Sequence, residues 1–505
     1  MGIGADPQSS ERGKAKFARV DKFALLTTQI AHADFPFIAK NARSGLKAGH
    51  SRQQPREDRE MAHDVKMNLV QAILTRRRLL QVAGAGAAVA TVSGISLPAK
   101  AQEKVELTMW GWTPNTQAEI DLFMKAFPHI SVKLENAGQG PDQYVKLRNA
   151  VQAGSGLPDI AQVEFTAIPG FRQLQALLDM GQHGANDVKD KFIDWTWASV
   201  SDGDAVYGIP WDSGPMGILY RADVLEIHNI PVPKTWAEFS ASSKALSAAS
   251  PDTYLTNFGG TADGGWVIAL LAQAGWRPFE LNGTDLKLNL NSDVAKKWAA
   301  FWQDLIDAKA VGVKTPVWTT DWFTGLDEGI YASWMTGAWG AVFIPQFAKK
   351  SNGHWRAAPL PQWEEGKYVS ANLGGSTFAA FNTTKHPKEV TQLAMFLGAD
   401  PEASRLWNTK QFLFPVLKDL VADKELMGHK YDLYGGQAVN EVFAESAARV
   451  DSSFQYAPFQ DYLSGQVQQE LSASIGGRGS LSDAFDRLQE TVAAYCADQG
   501  YTIVN

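Results

Sequence analysis

The sequence predicts an α/β protein built around a parallel sheet. The observations behind this are strand-like stretches alternating with helix-like ones, a length of 505 residues, and a composition that is 45% hydrophobic and 20% charged. The alternation calls for a sheet covered by helices. At about 100–200 residues per domain, the length holds two to four folded units. The composition is that of an ordinary globular chain, which excludes a disordered acidic protein, a fibrous repeat and a disulfide-stapled miniprotein.

Val105-Glu106-Leu107-Thr108-Met109-Trp110 alternates like a strand. A helix is predicted over 118–127, with Ile120, Phe123, Met124 and Phe127 on one face. Ser131–Leu134 is a second strand and Asp142–Ala153 a second helix, and Gly154-Ser155-Gly156-Leu157-Pro158 punctuates the chain before a third strand over 159–163. Thr235 and Glu238 have the spacing of a capping box, in which each side chain satisfies a free backbone N–H of a first helical turn. On a helix over 294–308, Trp298, Phe301, Trp302 and Leu305 form an inward stripe. A last helix covers 482–494.

Charge divides the chain. Residues 1–101 hold 16 of the 47 Lys+Arg and 8 of the 54 Asp+Glu, a net of +8, so the remainder carries −15. All 17 tryptophans follow residue 101. An acidic body disfavours a partner bound through its phosphates, so no nucleic-acid partner is expected.

The basic end reads as an address. Thr75-Arg76-Arg77-Arg78-Leu79-Leu80-Gln81 precedes a small-residue apolar stretch, Val82–Val92, and then Ala99-Lys100-Ala101. A charged region, an apolar region and an Ala-x-Ala site make a secretory signal peptide, here over 61–101. The paired arginines resemble the twin-arginine export signal. Glycines interrupt the apolar run, which is shorter than the roughly 20 residues of a membrane span. Cleavage after Ala101 leaves residues 102–505, and no cysteine follows the cut to carry a lipid. The expectation is a free periplasmic protein. Residues 1–60 are read as a non-native or disordered extension, because a signal peptide starting at Met61 or Met67 would lie at the N-terminus.

Few motifs carry reaction chemistry. The single cysteine, Cys496, excludes an internal disulfide and Cys-rich metal sites. No zinc, EF-hand or phosphate-loop pattern occurs, so neither metal nor cofactor is expected. Gly374-Gly375-Ser376-Thr377-Phe378 lacks the second glycine of a nucleophile elbow. Tryptophans do cluster beside Gly, Asp and Pro, at Trp110-Gly111-Trp112, Pro210-Trp211-Asp212, Gly264-Gly265-Trp266, Thr320-Asp321-Trp322 and Gly337-Ala338-Trp339. Such a pairing suits carbohydrate: a pyranose lays its C–H face on a flat ring, while carboxylates accept from its hydroxyls. Across all the tryptophans core packing is the commoner role, with Trp112 and Trp339 the exceptions expected to face ligand.

Four stretches carry a family resemblance. They are Leu107–Trp112; Gly156-Leu157-Pro158-Asp159-Ile160-Ala161-Gln162-Val163-Glu164; Tyr207–Ser213 continuing through Leu219–Asp223 to Pro233–Phe239; and Met335–Gly340 with Leu373–Ser376. From about Val105 to its end the chain resembles the extracellular solute-binding proteins of ABC sugar importers, the group related to maltose-binding protein. The resemblance implies a two-lobed periplasmic-binding-protein fold of type II, with a cleft between the lobes and strands crossing between them. Lobe 1 would take 102–211 and 371–415, and lobe 2 would take 215–365 and 420–505, with the first crossing at Pro210–Pro215.

It implies further that Trp112 faces the cleft, that Trp339 stacks on sugar and that Glu164 and Asp212 accept from its hydroxyls. Gly375 and Ser376 would offer backbone N–H groups and a hydroxyl, and Asp263 and Trp266 would line the second-lobe wall. Trp211 is expected to point into the core. Tyr456, Phe459 and Tyr462 lie near the position of a further family aromatic. The implied function is a monomeric, non-enzymatic receptor that captures a neutral sugar, an oligosaccharide, and passes it to an ABC permease. A secreted glycosidase using two of the same carboxylates, and a receptor for an anionic sugar phosphate, are the alternatives.

Overall fold

The computed structural model describes residues 103–504 except 139, 348 and 412. The signal-peptide reading and the extension 1–60 lie outside the described residues. Among the described residues no helix is long and apolar enough to cross a membrane.

Ten strands organise the two lobes: β1 (Val105–Trp110), β2 (Ile130–Glu135), β3 (Ile160–Glu164), β4 (Ile209–Pro210), β5 (Asp212–Ser213), β6 (Met216–Arg221), β7 (Ser333–Gly337), β8 (Trp355–Pro359), β9 (Ser376–Ala380) and β10 (Phe414–Pro415). The first lobe is a five-stranded sheet in the order β2-β1-β3-β9-β4. β1 runs parallel to β2 and β3, and the helices Thr116–Ala126 and Pro141–Ala153 make the crossovers. The expected parallel strands are joined by one antiparallel strand. β9 lies antiparallel to both β3 and β4, because it returns from the second lobe and not by a local crossover helix.

The second lobe holds a three-stranded antiparallel sheet, β7-β6-β8. Its core is aromatic. Trp298, Trp302 and Leu305 on the helix Asp293–Asp307 are fully buried, and Phe301 sits half-buried against Trp236 and Trp363. The helix Trp236–Ala249 opens on the expected capping box: Thr235 Oγ1 accepts from the Glu238 N–H at 3.1 Å, and Glu238 Oε2 accepts from the Thr235 N–H at 3.2 Å. Thr235→Ala removes one acceptor and should destabilise the protein by about 1 kcal/mol. A lowered urea midpoint with unchanged sugar affinity is the expected reading.

Three passes of chain join the sheets, side by side. β4 leads through β5 to β6; β8 leads back to β9; and β10 pairs antiparallel with β5, Phe414 opposite Ser213 and Pro415 opposite Asp212. Pro215 bridges Asn372, and the Leu373 N–H donates to Gly214 O at 2.8 Å. Trp211 packs into the first-lobe core against Phe378 and Trp407.

Candidate functional site

The carboxyl ends of parallel strands are where α/β sheets place ligands, since the connections there turn outward and leave a crevice. Here β1 and β3 end side by side. Gln162, on β3, organises the turns beyond their ends. Its Oε1 accepts from the backbone N–H groups of Trp112 and Thr113 at 3.2 and 3.3 Å, and its Nε2 donates to Ser376 Oγ at 3.2 Å. The Trp112 ring, only partly buried, meets the Tyr144 ring edge-on, with centroids 6.2 Å apart. The Tyr144 hydroxyl donates to Glu164 Oε2 at 3.1 Å and accepts from the Glu164 N–H at 2.9 Å. One glutamine and one tyrosine thus lock Trp112, Glu164 and Ser376 into a single unit.

Asp212 stands at the first crossing, 6% exposed, and accepts from the Ser376 N–H at 2.7 Å. Gly375 beside it has φ +89°, and a Cβ there would come within 2.9 Å of Asp212 O and 3.0 Å of Ser213 Cα. Only glycine allows the crossings to pack this closely. The Ser376 N–H is therefore already taken by Asp212, which corrects its reading as a donor to ligand; the serine hydroxyl accepts from Gln162.

From the second lobe comes Trp339, half-buried between β7 and the helix Gly340–Phe347. Its Nε1 donates to Leu373 O at 2.6 Å, which fixes the indole plane against the second crossing. Asp263 caps the helix Gly264–Gln273 by accepting from the Trp266 N–H at 2.9 Å. Trp266 itself is corrected: 4% exposed, it donates from Nε1 to Met335 O at 3.2 Å and packs on Phe258, Trp298 and Trp302. Trp322 is likewise core, fully buried, with its Nε1 on Asn257.

Electrostatics ties these groups together. Burial pushes the Glu164 carboxyl up to about 7 against the opposing Tyr144 hydrogen bond, and the charges of Asp461 and Asp263 add to the rise. Burial also lifts Asp212 to about 7, opposed by the Ser376 N–H and assisted by the charge of Glu164. Asp263 is raised by burial, against the Trp266 N–H and the Trp318 indole. Glu164 thus feels carboxylates of the second lobe. Arg148 on the helix Pro141–Ala153 pairs with Asp461 on the helix Gln460–Ile475, a direct tie from the first lobe to the second.

Tyr144, Gln162 and Trp318 contact the expected site residues without any motif to mark them. The first two lie on the inward faces of predicted elements, where periodicity announces burial but not a partner. Tyr456 is half-buried, and its hydroxyl accepts from Asn372 Nδ2 at 3.2 Å; Phe459 lies in the core, and Tyr462 stacks on Tyr495. A cavity of about 950 Å³ elsewhere is lined by Arg172, Tyr207, Phe279, Asn372 and Tyr501 among others, and by none of the eight expected site residues. Its acids Asp202 and Asp451 are paired with Arg172 and Arg277. No group of three His, Cys, Asp or Glu able to hold a metal occurs among the described residues.

Two α/β lobes, joined by three crossings of which the first carries the buried carboxyl Asp212, define a ligand-binding protein of the two-lobed type. Residues 110–403 match the bacterial extracellular solute-binding protein family, and the chain belongs to it. An arabinooligosaccharide-binding protein of Halalkalibacterium halodurans is 25% identical over 422 residues, covering 77% of this chain and 89% of the relative. Among solved structures, an ABC-transporter-associated binding protein of B. animalis subsp. lactis in complex with β-1,6-galactobiose superposes with a TM-score of 0.68 at 28% identity, over 79% of this chain and 99% of that one. The galacto-N-biose-/lacto-N-biose I-binding protein of Bifidobacterium longum, in complex with lacto-N-biose, gives 0.69 at 25% identity over the same shares.

Proposed function

We propose that this chain is the sugar-capturing subunit of an ABC importer. It closes two lobes on a neutral sugar, an oligosaccharide, and releases it unchanged to membrane permease subunits. The observation that supports this reading is the pairing of rings with carboxyls, Trp112 with Glu164 through Tyr144, and Trp339 with Asp212 through the adjoining Leu373–Ser376 crossing. An indole plate and hydroxyl-accepting carboxylates fit a polyol, whereas a sugar phosphate would meet a repulsive field. The sugar ligands of the relatives point the same way.

Closure follows from differential affinity. The ligand touches groups of both lobes only in the closed form, so it shifts the population toward that form. Micromolar binding corresponds to about −8 kcal/mol, within reach of two stacked rings and a few charge-assisted hydrogen bonds.

A thermal-shift screen against neutral oligosaccharides tests the reading, because a ligand bound only by the folded state raises the melting temperature. A shift with galactobiose, lacto-N-biose or arabinotriose supports it. New reducing ends after incubation would move the protein to the glycosidases, and preference for a phosphorylated sugar would move it to the anion receptors.

On the same reading the protein is a periplasmic monomer, exported by the twin-arginine route and without a lipid anchor. Lobe 1 comprises 102–211 and 371–415, and lobe 2 comprises 215–365 and 420–505. Mass spectrometry of the exported chain should find Gln102 as its first residue; a longer N-terminus would overturn the cleavage reading.

A further inference from the structure

Trp318 is held in a conformation that tryptophan avoids. Its φ is +70°, in the left-handed region where a bulky side chain is strained and glycine or asparagine would not be. Packing covers only part of the ring: Trp318 stays 40% exposed although Trp322 and Phe323 meet it, at 6.0 and 6.2 Å. It directly precedes Thr319, the cap of the helix Thr320–Glu328, and a small residue would make that turn without cost. Strain kept at a ring that remains partly open to solvent points to a use for that ring.

The ring has a defined place. It stacks on Trp339 with centroids 5.6 Å apart and planes at 27°, and the rings of Trp334 and Phe343 meet it edge-on at 5.5 and 5.7 Å. Its indole N–H interacts with the Asp263 carboxylate, which the Trp266 backbone N–H holds from the other side. At 5.6 Å the stack is offset, so Trp318 covers part of the Trp339 face and leaves part of its own open. The two indoles form a stepped aromatic surface with a carboxylate at its edge.

We propose that Trp318 is a second stacking residue and that it sets the preference for a chain of sugars over a single one. This rests on the sugar-binding reading above. A first pyranose lies on Trp339, its neighbour along the chain lies on Trp318, and Asp263, held by the Trp266 N–H, accepts from a hydroxyl between them. A monosaccharide reaches Trp339 alone.

The test is titration calorimetry of the wild-type protein and Trp318→Gly with β-1,6-galactobiose, lacto-N-biose and arabinotriose, and with galactose and arabinose. Glycine takes φ +70° freely, and the strain it relieves offsets part of the packing lost with the ring, so the ligand-free variant should still fold and unfold in one cooperative transition. Its affinity for the chain sugar should fall about tenfold, while affinity for the monosaccharide stays within about twofold. Equal chain affinity in the two proteins, or equal losses for chain and monosaccharide, would overturn the proposal. Trp318→Asn, which also tolerates this backbone, repeats the measurement if the glycine variant is unstable; collapse of both would make Trp318 a packing residue and sink it. If the wild-type protein binds none of the five sugars, the sugar-binding reading itself fails. That result is distinct from a wild type that binds sugar and a variant that matches it.

Discussion

Trp339→Ala is expected to weaken sugar binding by about 30- to 1000-fold, or roughly 2–4 kcal/mol, the range of a central aromatic anchor at a binding site. The indole contributes a flat apolar face at little conformational cost, and alanine leaves nothing for the pyranose to lie on. The same change removes the hydrogen bond from Nε1 to Leu373 O and the stack with Trp318, so a lower melting temperature should accompany the lost affinity. Trp339→Phe separates the two effects: it keeps a ring but not the N–H, and should retain more affinity than alanine at a similar thermal cost. Calorimetry and melting curves on both variants decide. Wild-type affinity in Trp339→Ala would remove this residue from the site.

What could be read from the sequence was what repeats. The first βαβ units announce themselves by period, as do the Trp298–Trp302–Leu305 stripe and the capping box at Thr235, because each depends on neighbours a few residues away. Long-range pairing leaves no such trace. β9 joins β3 and β4 antiparallel from far along the chain, and nothing in Ser376–Ala380 says which sheet it enters or in which direction.

The same limit divides the tryptophans. Trp266 and Trp339 both sit beside glycines, yet one is closed in by Phe258, Trp298 and Trp302 while the other remains half open. Composition marks an aromatic near a turn; only packing says which face is left over. Trp318 was hidden for a related reason: its signal is a backbone angle, and Pro316-Val317-Trp318-Thr319 does not reveal one. Gln162 and Tyr144 act through hydrogen bonds to residues 20 to 214 positions away, a spacing that carries no pattern.

Stability and sugar affinity should change in opposite directions with pH. An ordinary aspartate titrates at 3.8 and a glutamate at 4.5, whereas folded Asp212 and Glu164 both titrate at about 7. Between about pH 4 and 7 the native state therefore holds protons that the unfolded chain has lost. With more protons bound in the native state, stability falls as pH rises through this window, and it levels off above about 7. Buried Glu119, also raised to about 7 by burial, adds to the same slope. A shift of this size in one buried group is worth of the order of a few kcal/mol across the window.

Binding runs the other way. Sugar hydroxyls donate more strongly to an ionised carboxylate than to a carboxylic acid, so affinity should rise from about pH 5 to about pH 8, with protons released on binding near pH 7. Asp212→Asn isolates the contribution. The amide oxygen still accepts from the Ser376 N–H, and the neutral side chain no longer titrates; it also removes a charge that disfavours ionised Glu164. The variant should show a shallower fall in urea midpoint between about pH 5 and 7 and a flatter rise in affinity. Asp212→Ala is the less informative change, because it strands a buried N–H at a cost of about 1–3 kcal/mol at every pH. A wild-type urea midpoint that climbs from about pH 5 to 7, or a slope that Asp212→Asn leaves untouched, would show that Asp212 ionises as an ordinary surface acid and does not reserve its charge for ligand.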